Sequence, residues 1–281
     1  MFEALWRELE CKGSAQPVYE KLVSCYNSPE RHYHTLEHVY WGLRRARELA
    51  EAERYPDENM LSVYWAMWFH DICMSFDPTN AAKDEELSAS MAVVAAQRAG
   101  LSVIFQADVY RLVMATAHLK APVRRDEAIL IDADLSMLGA DEEDFKQYEA
   151  NIRKEWAHVA DADFYRGREL VLQRFACMPR IFTTDSAHRS WEKQARKNIF
   201  GSRRMLAMAS NRLEPALEFK ETLKGWFIDG KDHTHTLILQ VSDYDRYQRD
   251  ATDADLVAVL KELRSKHPDR YAKMMAELNA T

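Results

Sequence analysis

Glycine is scarce, with eight in 281 residues, about half the share of an average protein. That excludes collagen-like, loop-rich and low-complexity disordered classes. Cysteine is sparse too. Cys11, Cys25, Cys73 and Cys177 stand far apart with no CxxC pair, which excludes a zinc ribbon and a disulfide framework and leads to the expectation of reduced thiols. The longest apolar run, Val63 to Phe69, is far short of the roughly 20 residues a bilayer requires. Basic excess is also missing: 38 basic against 45 acidic side chains give a formal charge of −7. General nucleic-acid binding, which depends on a basic face, is therefore disfavoured. The opening MFEALWRELE lacks the layout of a secretory or transit peptide. A soluble, cytoplasmic protein that does not enter membranes is the expectation.

With 47% hydrophobic and 30% charged residues, the chain can bury a real core. Most of residues 1–210 reads at helical period. Phe2, Leu5, Trp6 and Leu9 form one stripe, and Val18, Leu22, Val23 and Tyr26 another. After the break at Asn27-Ser28-Pro29, helices are predicted near 34–53, 59–73, 84–99, 102–118, 141–160 and 163–177. Asp141 heads the fifth, with three acids in its first turn, where negative charge suits the helix dipole. Beyond about residue 200 basic and acidic residues balance, so all the net charge lies earlier. There, Trp226–Ile228 and Thr236–Val241 flank Asp229-Gly230, a hairpin signal, and two helices follow. The predicted fold is mainly α: a helical domain over 1–205 and a small α+β appendage over 206–281.

Three separated segments pair histidine with carboxylate: Arg31–His38 (RHYHTLEH), Trp68–Asp71 (WFHD) and Leu130–Leu135 (LIDADL). His34 and His38 would share a face if both were helical. Singly, each segment has a packing explanation: a core imidazole with one hydrogen bond, or an aspartate capping a turn. Jointly they do not, because Asp71 and Asp134 both follow strongly hydrophobic runs, and buried ionisable groups cost several kcal/mol unless paired or metal-bound. A divalent cation between two imidazoles and two carboxylates satisfies all of them, and such N/O ligands suit Mn, Fe, Co, Ni, Zn or, less well, Mg.

A histidine, an adjacent His-Asp pair and a distal aspartate in a helical chain resemble the HD superfamily of metal-dependent phosphohydrolases. The run Tyr33-His34-Thr35-Leu36-Glu37-His38 is similar to the helix of cyclic-nucleotide phosphodiesterases in which the first histidine donates a proton and the second binds metal. The longer pattern RHYHTLEH…WFHD…DADLSMLG resembles a bacterial branch of predicted HD phosphohydrolases over roughly residues 25–200. In that branch an N-E-x-x-S-A element follows the HD pair. Here it reads Asp84-Glu85-Glu86-Leu87-Ser88-Ala89, with Asp84 in place of the asparagine. The resemblance implies an HD-type bundle, with His38, His70, Asp71 and Asp134 as metal ligands and His34 as general acid.

The function this implies is metal-dependent hydrolysis of a small phosphorylated substrate, a nucleotide or cyclic nucleotide. Glu85 would orient water or a ligand imidazole, or else is a solvated charge. Arg31, Arg153 and Arg168 are candidate phosphate donors, and otherwise surface arginines. His118 either approaches a second metal or the substrate, or faces the dipole at a helix C-terminus. Asp132 is a supporting acceptor or the start of a turn, and His233 and His235 belong to a polar hairpin loop. Two other readings stay open: an HD-type di-iron oxygenase using Glu85 and His118, and a non-catalytic nucleotide-binding module. The oligomeric state is left open, including a homo-oligomer.

Overall fold

The computed structural model describes residues 1–77, 81–209, 265 and 268. Among the described residues there are ten α-helices and no strand: α1 (Phe2–Glu8), α2 (Gln16–Tyr26), α3 (Leu36–Ala52), α4 (Met60–Phe69), α5 (Ala81–Arg98), α6 (Val103–Ala115), α7 (Arg125–Asp134), α8 (Glu142–Glu155), α9 (Asp161–Ala176) and α10 (Asp185–Ala209). The mainly-α expectation holds. None of these helices is long and apolar enough to cross a membrane. The predicted hairpin with His233 and His235, and the helices after it, lie outside the described residues. The expected boundary at 205/206 falls inside α10.

The described residues divide into two compact units, Met1–His158 with Phe182–Glu192, and Val159–Ile181 with the described residues from Lys193 onward. The first is organised around α4. Its sequence MLSVYWAMWF is apolar on all sides, with Met60, Val63, Trp65, Ala66, Met67, Trp68 and Phe69 buried, as a helix at the centre of a core must be. Helices α3, α5, α6 and α7 pack around it. Helix α7 is nearly as buried, from Asp126 to Ala133. Its start is fixed by Glu127, whose Oε2 accepts the N–H groups of Val123 (2.7 Å) and Arg124 (3.2 Å). In the second unit, Arg203 donates to Glu169 at 3.1 Å with both side chains largely buried.

Two local features position the site. The first is a helix start. The sequence predicts a helix from residue 34, but α3 begins at Leu36 because Thr35 is extended and its hydroxyl accepts the Glu37 N–H at 3.3 Å. Threonine is a good N-cap, so His34 sits in the turn before the helix. Asp141 caps α8 as expected, accepting the Glu143 and Asp144 N–H groups. The second is the close approach of α3 to α4. A Cβ at Gly42 would lie 2.4 Å from Met67 Sδ, and this contact brings His38 on α3 toward His70 at the end of α4.

Replacing Gly42 by valine should therefore drive its branches into the buried Met67 side chain, which has to repack between the two helices. The expected loss is about 1–3 kcal/mol, read as a lower denaturant midpoint with an unchanged slope. Unaltered stability would show that the approach is not a packing constraint.

Candidate metal centre

Helices deliver the four predicted ligands to one place. His38 lies in the first turn of α3, His70 and Asp71 follow α4, and Asp134 closes α7. The two imidazoles meet Nε2 to Nε2 at 3.1 Å. Asp71 Oδ2 lies 3.4 Å from His38 Nε2 and 2.9 Å from His70 Nε2. Asp134 Oδ1 lies 3.2 and 3.3 Å from the same two nitrogens. His38, His70 and Asp71 offer ligand atoms all within 4.8 Å of one another, and Asp134 joins both imidazoles. Ligands held at about 2.1 Å around one ion stand roughly 3.0–3.4 Å apart, so the spacing of His38, His70 and Asp71 fits a divalent cation.

The imidazole side chains are 2% and 1% exposed, which makes the electrostatics severe. Burial opposes protonation of His38, but Asp134 and then Asp71 outweigh it and hold the imidazole above its usual range. His70 is pushed well above it, burial again being overcome by Asp71 and Asp134. Burial likewise opposes ionisation of the two aspartates, yet the imidazoles, His70 foremost, hold both well below the usual carboxylate range. Without a cation, protons on the imidazoles answer the carboxylates. A cation would do the same and displace them.

Tautomers are set locally. His70 Nδ1 lies 3.0 Å from the Met67 carbonyl; it can only donate there, which leaves Nε2 facing the cluster. A carbonyl behind a ligand histidine is the usual means of fixing it. His38 Nδ1 is buried with no hydrogen-bond partner among the described residues, so His38 lacks that support.

His34 is held differently. Its ring centroid is 5.7 Å from that of His38, and its Nδ1 lies 2.8 Å from Glu155 Oε2. Glu155 Oε1 accepts three successive backbone N–H groups, those of His32, Tyr33 and His34, at 2.8–2.9 Å. Burial raises the cost of charge on Glu155, but the His34 side chain and these N–H groups keep its carboxyl below the ordinary value. An ionised carboxylate only accepts, so His34 Nδ1 carries the proton and Nε2 is left for the site. Tyr33 packs edge-on against His34 and tilted against His38. Nothing in the sequence reading singles out Glu155. The available signal is its place three residues after Ile152 and ten after Phe145, on the buried face of α8, where a carboxylate needs a partner.

Several other expectations change in the structure. Arg31 is buried over the Tyr26 ring, and its Nη1 and Nη2 donate to the carbonyls of His34 (3.0 Å) and Ile72 (3.1 Å). It staples the His34 turn to the residue after Asp71, a backbone clasp in place of a phosphate donor. Arg153 donates to the Trp156 carbonyl at the end of α8. Arg168 lies half-buried on α9, in the second unit. Asp132 accepts from Thr183 N–H, Thr184 N–H and the Thr184 hydroxyl at 2.7–2.8 Å, so it anchors the segment entering α10.

The Asp84–Ala89 element is a grip. Asp84 Oδ2 accepts from the Ser75 N–H and hydroxyl, and Ser88 Oγ accepts the Cys73 N–H. Between them Glu85 is half-buried, with Oε2 unpartnered among the described residues. Burial raises its pKa, and Asp71 and Asp84 add to the shift.

His118 does not lie within a helix. Helix α6 stops at Ala115, and His118 adopts φ +53° two residues past the C-cap Thr116. Its Nε2 lies 2.9 Å from Asp134 Oδ2, so the imidazole engages the cluster and not the helix dipole. Asp134 therefore divides its two oxygens, Oδ1 to the imidazole pair and Oδ2 to His118. A left-handed backbone at a non-glycine residue costs about 1 kcal/mol or more, and such strain gathers at functional sites.

Two outcomes are expected. Titration with Mn²⁺ or Zn²⁺ should release protons, seen as a binding enthalpy that scales with buffer ionisation enthalpy. Because protons held on His38 and His70 compete for the same lone pairs, affinity should fall as pH is lowered through neutrality. pH-independent binding would show the ion lies elsewhere. Separately, His118→Gly relieves the left-handed backbone by about 1 kcal/mol but strips Asp134 Oδ2 of its partner, so it should be less stable than His118→Gly with Asp134→Asn, in which no ionised carboxylate is left unpaired. Equal stability of the two variants would show that His118 does not compensate Asp134.

Compared with protein-family models, with curated proteins and with solved structures, the chain finds no match, so the role of the site is carried by its own geometry.

Proposed function

We propose that the protein is a metal-dependent phosphohydrolase acting on a small phosphorylated molecule, a nucleotide or cyclic nucleotide. One observation carries the reading: two buried imidazoles from distant segments meet at 3.1 Å, and each lies within 3.4 Å of both Asp71 and Asp134, with a separate histidine beside them. His38, His70, Asp71 and Asp134 would hold the ion. Manganese, iron, cobalt, nickel and zinc suit this N/O set, magnesium less well. When bound, a divalent ion supplies charge relief on phosphoryl oxygens and hydroxide at neutral pH.

The chain's own residues supply the rest. His34, its ring 5.7 Å from that of His38, has Nδ1–H committed to Glu155, which leaves Nε2 to exchange a proton. An imidazolium there can protonate a departing oxygen, and the Glu155 carboxylate compensates its charge. Glu85, with a raised pKa and an unpartnered oxygen, can hold water or accept its proton. Arg31 and Arg153 hold backbone carbonyls, so His118 is the nearer group to meet phosphate charge.

A second reading draws support from the divided coordination of Asp134 and the unpartnered Glu85 oxygen: an oxygenase holding a second iron with His118 and Glu85. Metal analysis of anaerobically purified protein separates the two, since one ion per chain leaves no place for that chemistry.

The test is hydrolysis of bis-p-nitrophenyl phosphate and a panel of mono-, di-, tri- and cyclic nucleotides. Activity should vanish with chelator, return with a transition metal, and be lost in Asp71→Ala. His34→Asn should lower kcat by about 10²–10⁴-fold. Glu155→Gln preserves the shape but opposes the Nδ1–H, so it should cost about 10–100-fold and alter the pH profile. Undiminished hydrolysis by Asp71→Ala would overturn the proposal.

A further inference from the structure

On the first unit, away from the ligand atoms, α2 and α5 border an apolar groove of about 340 Å³, within the size range of small-molecule sites. Pro17 and Val18 form the α2 side, and Met91 and Val94 face them from α5. Leu87 and Val94 are 54% and 42% exposed there, well beyond what a sealed helix pair leaves open. From Leu87 to Arg98 the α5 wall runs about 16 Å at 1.5 Å per residue.

Two cations line this apolar surface, Lys21 and Arg98. Neither has an ion pair or hydrogen bond among the described residues, whereas Arg44, Arg45, Arg47, Arg111 and Arg124 of the same unit are all paired with acids. In a chain of charge −7, whose overall field repels anions, two unpaired cations beside a bare aliphatic trough are complementary to one ligand chemistry. That ligand has an apolar body and a single anionic head.

We infer that this groove binds a small amphipathic anion, an aliphatic chain ending in a carboxylate. The apolar body lies along Met91 and Val94, and the head is met by Lys21 and Arg98. The floor of the groove is Phe69 and Ile72, the two residues that flank His70-Asp71. The Ile72 carbonyl also receives the Arg31 fork that holds His34. An occupant therefore presses on the segment that carries two ligands and on the clasp that holds the proton donor. The inference does not require the hydrolase reading, because occupancy is measured without turnover.

The probe is monomeric decanoate, below its micelle concentration, followed by calorimetry and by the methyl resonance of Met91, assigned with Met91→Leu. Saturable binding that shifts this resonance is expected. Lys21→Gln with Arg98→Gln should weaken decanoate at least tenfold while leaving decanol binding unchanged. Ser90→Trp, an exposed position on the groove wall, should abolish both. Equal affinity in the double variant, or no shift at Met91, would overturn the inference. So would binding confined to acidic-lipid vesicles or to an acidic helical peptide.

Discussion

The first unit is constrained by one electrostatic problem, the convergence of two carboxylates and two imidazoles in a place almost closed to water. Isolated burial of any of these charges costs several kcal/mol. The spacing of 2.9–3.4 Å between their polar atoms makes each one the others' compensation, and protons or a cation complete it. The surrounding architecture serves that convergence. An all-apolar α4 carries His70-Asp71 into the core, the close approach at Gly42 brings up His38, and a buried α7 delivers Asp134.

The four clustered residues and the two histidines beside them sit on different kinds of structure. His38, His70, Asp71 and Asp134 are in or directly after helices, where backbone hydrogen bonding fixes their directions. His34 and His118 lie in turns, one before an N-cap and one past a C-cap. Each turn is held by a carboxylate: Glu155 through three N–H groups and the imidazole, Asp134 through the His118 ring. The cluster thus joins side chains fixed by helices to histidines fixed by carboxylates, two separate means of holding a polar group in place.

Much of this was legible in the sequence. Helical periodicity located α3, α5, α6, α8 and α9 to within a few residues, because each has a one-sided stripe or a marked cap such as Asp141; α4, apolar on all sides, was legible as an unbroken apolar run. The juxtaposition of His38, His70 and Asp71 was legible in part because Asp71 follows an apolar run and so needs a partner, and in part from the HD resemblance. Helix α7 was harder: RDEAILIDAD is buried nearly all round, so it lacks the period that marks a helix against one face of a core. His34 was placed in α3 because spacing carries no information about where a helix starts. The threonine cap did carry it, and outweighed the four-residue spacing.

Arg31 and Glu155 show where such reading stops. Next to a His-x-x-x-His run an arginine reads as a phosphate ligand, yet its fork closes on two carbonyls that come together only in the folded chain. Glu155 lies more than 120 residues from the turn it organises, and its partners are backbone N–H groups, which every residue has and no sequence distinguishes. Pairings of side chain with distant backbone are invisible to composition, period and motif alike. Here they hold His34 itself: its Nδ1–H is committed to Glu155 and its carbonyl to Arg31, two pairings that exist only once the distant segments have come together.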